Sequence, residues 1–389
     1  MRSSFVAAKD AAALKGADTQ GHSLEVRNKT DTSGIEPARP ANLGPEHGRK
    51  KSTINDIARL AGVSKKTISR VINDSPFVKE ETRLKIKEII REMGYTPDPQ
   101  ARGLAFRRSF LVGMIYDNPT PQYVVNIMQG ILAALDATPF ELVIRPCDRS
   151  DPDFLENLGS FVERLKLSGV VLSSSVSEDE RLIATLREIE CPYVRIAAVS
   201  LDTPNVMVVT HDGAGAADAA RHLADLGHKI IAHISGPSSF LSAHVRRRGF
   251  VEGLAERGLK LQPAYDRKAA YTYESGFAAA EKLLTLKPRP TAIFAGNDEM
   301  AVGVYMAARN LGLEIPRDLS VIGFDDSPIA SRLWPLLTSV RLPIHELGRL
   351  AAKKLIRRWA DKSGAVEDDK TEVIPSLIVR KSTAKPSTA

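Results

Sequence analysis

Residues 53–73 read TINDIARLAGVSKKTISRVIN. Thr53 can cap a helix running from Ile54 to Leu60, with Asp56 in its first turn. Ile54, Ile57, Ala58 and Ala61 fall at the spacing of one helix face. Gly62 permits a tight turn, and Ser64 can cap a second helix whose Ile68, Val71 and Ile72 face inward. Asn73, Asp74, Ser75 and Pro76 break that helix. A third helix is expected from about Lys79 to Met93, with Leu84, Ile86, Ile89 and Ile90 supplying its apolar surface and Gly94 its C-terminal stop. Three short helices around a small core, two of them joined by a glycine turn, form a helix-turn-helix module.

Charge separates this module from the rest. The chain has 389 residues, enough for two or three domains, and a formal net charge of +7. Residues 49–109 hold 15 basic and 7 acidic side chains, residues 1–48 hold six of each, and the remaining 280 residues hold 33 basic and 34 acidic. The positive excess therefore sits in one 61-residue block, the footprint of a small nucleic-acid-binding module on a larger neutral body. With 43% hydrophobic and 26% charged residues, the chain has the composition of a folded soluble protein.

Residues 1–48 are rich in Gly, Ala, Ser, Thr, Asp and Pro and show no periodicity, so a flexible arm is expected there. Their balanced charge argues against a DNA-contacting arm, and a misplaced start codon would also account for them. No signal peptide is expected, because Lys9, Asp10 and Lys15 interrupt the short apolar stretches. No apolar run approaches the roughly 18 residues of a membrane span. Cys147 and Cys191 have no ligand-type spacing and read as buried thiols in a reducing cytoplasm, with a single disulfide as the alternative.

From Phe110 the pattern changes. Strand-like runs occur at 110–117, 141–146, 169–174, 192–197, 206–211, 230–236, 291–298 and 319–326, mostly separated by amphipathic helical stretches. Repeated β-α units imply parallel sheets with right-handed crossovers. About 280 residues suffice for two such subdomains with a cleft between them, and ligands in such sheets bind beyond the carboxyl ends of the strands.

The stretch 53–73, with VKEETR (78–83), GYTPDP (94–99) and ARGLA (101–105), closely resembles the DNA-binding headpiece of the lactose-repressor (LacI) family. LGHKIIAHISGP (226–237), RRRGF (246–250), SGF (275–277), FAGNDEMAVG (294–303), IPRDLSVIGFDD (315–326) and PLLTSVRLP (335–343) resemble its effector-binding domain, in family order. The resemblance covers about residues 50–385. It implies a cytoplasmic transcription regulator, most simply a repressor, that is a homodimer on a pseudopalindromic double-stranded DNA operator and is controlled by a small ligand, often a sugar or nucleoside. The fold it implies is an N-terminal all-α helix-turn-helix headpiece with a hinge helix, then an α/β periplasmic-binding-protein-like effector domain of two subdomains. The expected divisions are an arm at 1–48, a DNA-binding domain at 49–96, a hinge at 97–109, and an effector and dimerisation domain at 110–389. Within the last, subdomain one takes about 110–208 plus 343–366, and subdomain two about 209–340 plus 370–385.

On the DNA side, a recognition helix places its first exposed residues against base edges in the major groove. Here those are Lys65 and Lys66 and, one turn on, Ser69 and Arg70. Lys65 and Lys66 align with the family's principal base-reading pair, and lysine can donate to guanine O6 and N7 or hold a phosphate. Two solvated lysines are the bland alternative. A role for them in the helix dipole is excluded, because cations at a helix start oppose it. Ser64, Thr67 and Ser69 suit phosphates through their hydroxyls. Arg70 reads as phosphate contact or base reader, and Thr53, Asn73 and Lys79 stand where backbone contacts are expected. Residues 99–105 resemble the family's hinge helix, in which a leucine wedges into the minor groove. Leu104 matches that wedge, and Arg102 would supply phosphate or groove contacts. Gly103 departs from a good helix former, and the hinge is expected to fold only on DNA.

On the effector side, Arg246 matches the family arginine that forks onto ligand hydroxyls or carboxylate. Asn297 matches a ligand-facing amide, with Asp298 more structural. Asp325 matches the ligand carboxylate, with Asp326 capping the segment after the strand. Tyr271 matches an aromatic that packs on the ligand. Surface placement for Arg246, capping for Asp325 and plain core for Tyr271 are the competing readings. From the first subdomain, Gln122 and Tyr123 come after the first strand and face the cleft. Arg195 suits a buried ion pair better than a ligand contact. Leu342 stands where the family often has glutamine.

Other classes fit less well. Gly213-Ala214-Gly215 opens a helix after a strand like a dinucleotide turn, but Asp218 occupies the third glycine position. The eight histidines show no metal spacing and no serine nucleophile elbow is present, so neither an enzyme nor a cofactor is expected. A non-regulatory sugar-binding protein on the same scaffold would need a signal peptide and no basic module. The C-terminal VIPSLIVRKST (373–383) reads as a final strand and lacks the heptads of a coiled-coil tetramer.

Overall fold

The computed structural model describes residues 52–72, 77–95, 109–360 and 371–387. The arm at 1–48, Asn73, and Arg102 and Leu104 of the expected hinge lie outside the described residues.

The N-terminal module has three helices, α1 (Ile54–Ala61), α2 (Lys65–Ile72) and α3 (Glu80–Glu92). Gly62 follows α1 with φ +68°, a conformation that costs glycine nothing, and the Val63 amide then bonds back to the Ala58 carbonyl at 3.1 Å. Ser64 starts α2 by accepting from the Thr67 amide at 3.1 Å. Ile57, Ile68 and Ile86, one from each helix, are completely buried, and Ala58, Ala61 and Val71 close the core around them. Leu84 differs from expectation: it is 60% exposed, because two residues before Ile86 is roughly 200° round the helix from the core.

The larger part alternates strands and helices. β1 (Leu111–Tyr116), α4 (Pro121–Leu135), β2 (Glu141–Pro146), α5 (Phe154–Leu165), β3 (Gly169–Leu172), α6 (Glu180–Glu188), β4 (Tyr193–Ala197) and β5 (Met207–Thr210) come first. α7 (Asp212–Asp225), β6 (Ile231–Ser235), α8 (Leu241–Ala255), β7 (Asp266–Lys268), α9 (Tyr273–Leu284), β8 (Ala292–Ala295), α10 (Asp298–Asn310), β9 (Ser320–Asp325) and β10 (Thr338–Arg341) come next. α11 (Ile344–Ala360), β11 (Glu372–Val373) and β12 (Ser376–Ile378) complete it.

Two six-stranded sheets result, ordered β11-β5-β4-β3-β1-β2 and β12-β10-β9-β8-β6-β7. Every pairing is parallel except β10 with β12. Parallel strands buried on both faces read as continuous apolar runs, and β3, β4, β5, β6 and β8 are buried at every position. The chain passes between the sheets after β5, between β10 and α11, and between β11 and β12. That last passage corrects the single final strand expected at 373–383. Pro375 has no N–H to offer a ladder, so the run divides, β11 joining the first sheet and β12 the second. β7 and β10 are strands that the apolar runs do not mark; each is only three or four residues long.

Helix α8 lies directly on α7. At Gly249 an added Cβ would run into the Gly213 carbonyl, backbone against backbone. Gly249→Ala is therefore expected to destabilise the protein on the order of 1–2 kcal/mol, read as a lower urea midpoint at unchanged slope. Cys147 and Cys191 are free thiols. Among the described residues no helix is long and apolar enough to cross a membrane.

Candidate functional site

Helix α2 begins on two cations. Lys65 and Lys66 occupy its first turn, no acidic residue stands there, and both are exposed, as is Arg70 one turn on. Such charges work against the helix dipole by roughly 0.3–1 kcal/mol, so folding gains nothing from them. Ser64 and Thr67 are joined through their hydroxyls at 3.0 Å at the same helix start. Thr53 and Lys79 are exposed, immediately before α1 and α3. Ser69 is half-buried on α2.

The second site lies where the carboxyl ends of the two sheets face each other. Arg246, in the middle of α8, is its centre and is 7% exposed. Its Nε donates to Asp212 Oδ2 at 2.7 Å, its Nη1 donates to the Gly296 carbonyl at 2.7 Å, and its Nη2 stands 3.5 Å from Asp325 Oδ1. The guanidinium also lies 3.6 Å over the Phe324 ring and 5.8 Å from that of Tyr271. Asp325 ends β9 with φ +103°, and Tyr271 follows β7 with φ +62°. Strained backbone of this kind persists where surrounding structure fixes it, commonly at binding sites. The Tyr271 ring occupies the space a side chain at Gly236 would take.

Asn297 caps α10: its Oδ1 accepts from the Met300 amide at 2.9 Å and its Nδ2 donates to the Tyr271 carbonyl at 2.9 Å. Asp298 is buried and structural, accepting from Ser339 Oγ at 2.6 Å and the Ser327 amide at 2.7 Å. Asp326 pairs with Arg341 at 2.7 Å and Arg380 at 2.6 Å. From the first sheet, Tyr123 is buried with its hydroxyl 2.7 Å from Ser174 Oγ, and Gln122 donates to Asn126 at 2.8 Å. Arg195 is wholly buried, donating to Glu180 at 2.6 Å and the Ser177 carbonyl at 2.8 Å, so it serves the first subdomain's structure.

The structure thus brings Tyr123, Arg246, Tyr271, Asn297 and Asp325 around one void of about 20 Å³. Gln122, Tyr123 and Asp325 border a second, of about 10 Å³. A void of that size holds one water molecule and no sugar. The cleft is closed, and Leu342, though buried, lines neither void. A roomier hollow of about 410 Å³ lies against the other flank of α8, between Val245, Gly249 and Glu252 and the β5 residues Met207 and Val209. Its lining also carries Ser200, His211, Arg248 and Glu372.

Closure is held by bonds that the sequence did not disclose. Glu178 of the first subdomain accepts from the Leu241 amide at 2.9 Å, capping α8 from across the cleft. Arg149, paired with Asp117 at 2.6 Å, donates to the Ser239 carbonyl at 3.1 Å. Thr120, Ser174, Phe240 and Ser242 also line the larger void, and Asp212 anchors Arg246. A signal for Asp212 existed, since it comes after a strand and heads a helix as Asp298 does.

Burial pushes the Asp298 carboxyl up to about 8, with Asp325's charge adding to the rise. Burial likewise lifts Asp325 to about 7, against the pull of Arg246 and with help from Asp212 and Glu299. Glu178 rises to about 7, chiefly by burial. In the unfolded chain such groups release their protons near pH 4. The folded state therefore holds protons the unfolded state has lost, and stability falls as pH rises through these values. Burial lowers His222 and His228, whose contributions are lost instead as pH falls below about 6.5. Between roughly pH 6.5 and 8.5 the carboxyls dominate, so the urea midpoint is expected to fall across that range. A flat profile would contradict the burial of these charges, and Asp298→Asn should reduce the slope.

Two family models match parts of the chain. A model described as bacterial regulatory proteins, lacI family, matches residues 53–98, and one described as a periplasmic binding protein-like domain matches residues 220–383. The probable HTH-type transcriptional repressor ExuR of Bacillus subtilis is 34% identical over 308 residues, covering 78% of this chain and 90% of that protein. The ribose operon repressor of Escherichia coli is 30% identical over 329 residues, covering 85% and 99%. Among solved structures, the lac repressor dimer bound to operator and the anti-inducer ONPF superposes with a TM-score of 0.69 at 28% identity, covering 86% of this chain and all of that one.

Proposed function

The chain belongs to the LacI family of bacterial regulatory proteins, and on that premise we propose that it represses transcription from a DNA operator whose hold on the protein a sugar controls. Its relatives are transcription regulators rather than enzymes, and it is a transcription regulator too. One observation carries the reading: the same chain pairs a helix that opens on Lys65 and Lys66 with a cleft centred on Arg246 and Asp325.

Lys65, Lys66 and Arg70 read base edges or phosphates, Ser64, Thr67, Ser69, Thr53, Asn73 and Lys79 hold the backbone, and Leu104 with Arg102 engages the minor groove. The sugar sits among Gln122, Tyr123, Arg246, Tyr271, Asn297 and Asp325. The domain divisions at 49–96, 97–109 and 110–389 accord with these roles, and the protein works in the cytoplasm with its DNA. Two headpieces must meet one operator, so it acts as a homodimer. The exposed Val125 and Leu132 on α4 and Ile144 on β2 offer apolar surface for that contact.

A sugar entering the cleft must part the Glu178–Leu241 and Arg149–Ser239 bonds and turn the halves about the three chain crossings. Differential affinity for the opened form then shifts the DNA-binding equilibrium, here toward release. A gel-shift titration on the gene's own upstream DNA with a sugar panel tests this. Retarded specific DNA that a sugar releases is the expected result. DNA binding unmoved by every sugar and nucleoside would leave a constitutive DNA-binding protein. A sugar-binding protein with no regulatory role would show no specific retardation at all.

A further inference from the structure

We propose that Glu178 is a positioning residue that sets how readily the empty cleft opens: from the first subdomain it caps α8, the helix that carries Arg246 on the second. The contact is autoinhibitory, because a ligand in the cleft and this cap exclude one another. The inference deepens the effector reading of the cleft, although its main test needs no effector.

The first amides of a helix have no partner within it, and a Ser, Thr, Asp or Asn at the preceding position normally accepts from them. α9 and α10, on the same subdomain, are capped in that way by Thr272 and Asn297. α8 is preceded by Phe240, whose side chain holds no acceptor. The acceptor comes instead from the turn after β3, where Glu178 Oε2 takes the Leu241 amide at 2.9 Å. A carboxylate there also suits the helix dipole.

A second side chain of the first subdomain grips the same stretch. Arg149, paired with Asp117 at 2.6 Å, donates to the Ser239 carbonyl at 3.1 Å and lies 5.7 Å from the centre of the Phe240 ring. Ser239, Phe240 and Leu241 are thus held by carbonyl, ring and amide in turn. By contrast, Asn297 Nδ2 reaches Thr120 Oγ1 across the cleft only at 3.5 Å. Phe240 and Ser242, on either side of Leu241, line the void of about 20 Å³. Walls parted there by the thickness of a sugar ring leave Glu178 out of hydrogen-bond reach of the Leu241 amide.

The cap needs an acceptor more than a charge. Glu178 Oε1 is buried without a partner. Burial lifts the carboxyl to about 7 against the Leu241 bond and Arg149, with Asp117 and Asp212 adding to the rise. A side-chain amide keeps the acceptor and sheds the charge, so Glu178→Gln is expected to hold the cleft shut at least as well. Glu178→Ala leaves the Leu241 amide unmatched in the shut form, a loss of roughly 10-fold in the closed-to-open ratio.

Hydrogen exchange of the ligand-free full-length protein at neutral pH, read peptide by peptide, tests this. In Glu178→Ala exchange is expected to speed roughly 10-fold at the start of α8 and also on both walls, at 120–124 and 296–300, while Glu178→Gln matches the parent. Faster exchange confined to 241–244 would make the cap a local one and overturn the proposal. So would Glu178→Gln exchanging like Glu178→Ala, or a Glu178→Ala protein that does not fold. Calorimetric titration with glucose, galactose and ribose adds the ligand side. Any of them that binds is expected to bind Glu178→Ala up to roughly 10-fold more tightly than the parent, since less free energy goes into opening. Equal affinity for the two proteins overturns the autoinhibition, whereas binding of none of the three counts against the effector reading and leaves the exchange result to decide this one.

Discussion

Arg246→Ala is expected to cost the folded protein about 3–5 kcal/mol, the price of leaving buried charge without its partner. Asp212 loses its Nε contact at 2.7 Å, and Asp325 loses the cation beside it in the cleft wall. The Gly296 carbonyl is also stripped of a buried donor, and the Phe324 and Tyr271 rings lose the guanidinium between them. Lysine would be a poor substitute, because a single ammonium does not reach two carboxylates and a carbonyl as a planar fork does. Urea unfolding measures the loss. Adding Asp325→Asn to Arg246→Ala should recover part of it, since one stranded charge is removed. A single mutant within about 1 kcal/mol of the parent would mean that the two aspartates are not held by Arg246.

The second large effect concerns DNA. Lys66→Ala, which removes the amine proposed to read a base edge, is expected to cost about 1–3 kcal/mol of discrimination at one base pair and so to change which operator sequences are preferred. Lys79→Ala should instead weaken binding to all sequences about equally and lower the salt dependence by about one unit. The contrast comes from placement, Lys66 on the first turn of α2 and Lys79 just before α3. Anisotropy titrations over an operator library separate the two. Unchanged base preference in Lys66→Ala would remove base reading from that side chain.

The fold was largely legible because its signals are local. The turn at Gly62, the cap at Ser64 and the periodic Ile57, Ile68 and Ile86 each act within a few residues of sequence. Parallel strands announce themselves as apolar runs, so the long buried ones were visible while three-residue β7 was not. At the C-terminus, Pro375 divides what read as one strand, and only the topology reveals that its halves serve different sheets.

The cleft was legible in part. Arg246, Asn297 and Asp325 stand at strand or helix ends and can be aligned by motif. Ser174, Thr120 and Asp212 gain meaning only when β3, β1 and β5 are brought into one sheet. Glu178 is 63 positions from Leu241, and no periodicity links a carboxylate to the helix start it caps across a cleft. Nor does any pattern report that Arg246 already donates to Asp212 and the Gly296 carbonyl.

Sugar-controlled operator binding is measured most directly by a fluorescence anisotropy titration of the full-length protein onto its own upstream DNA at moderate salt, with and without sugars. One saturable site is expected, bound at least about 10³-fold more tightly than a scrambled duplex. One sugar is expected to weaken that binding by roughly 5- to 150-fold. Equal affinity for any duplex, or specific binding that no sugar moves, would contradict operator-specific repression under sugar control.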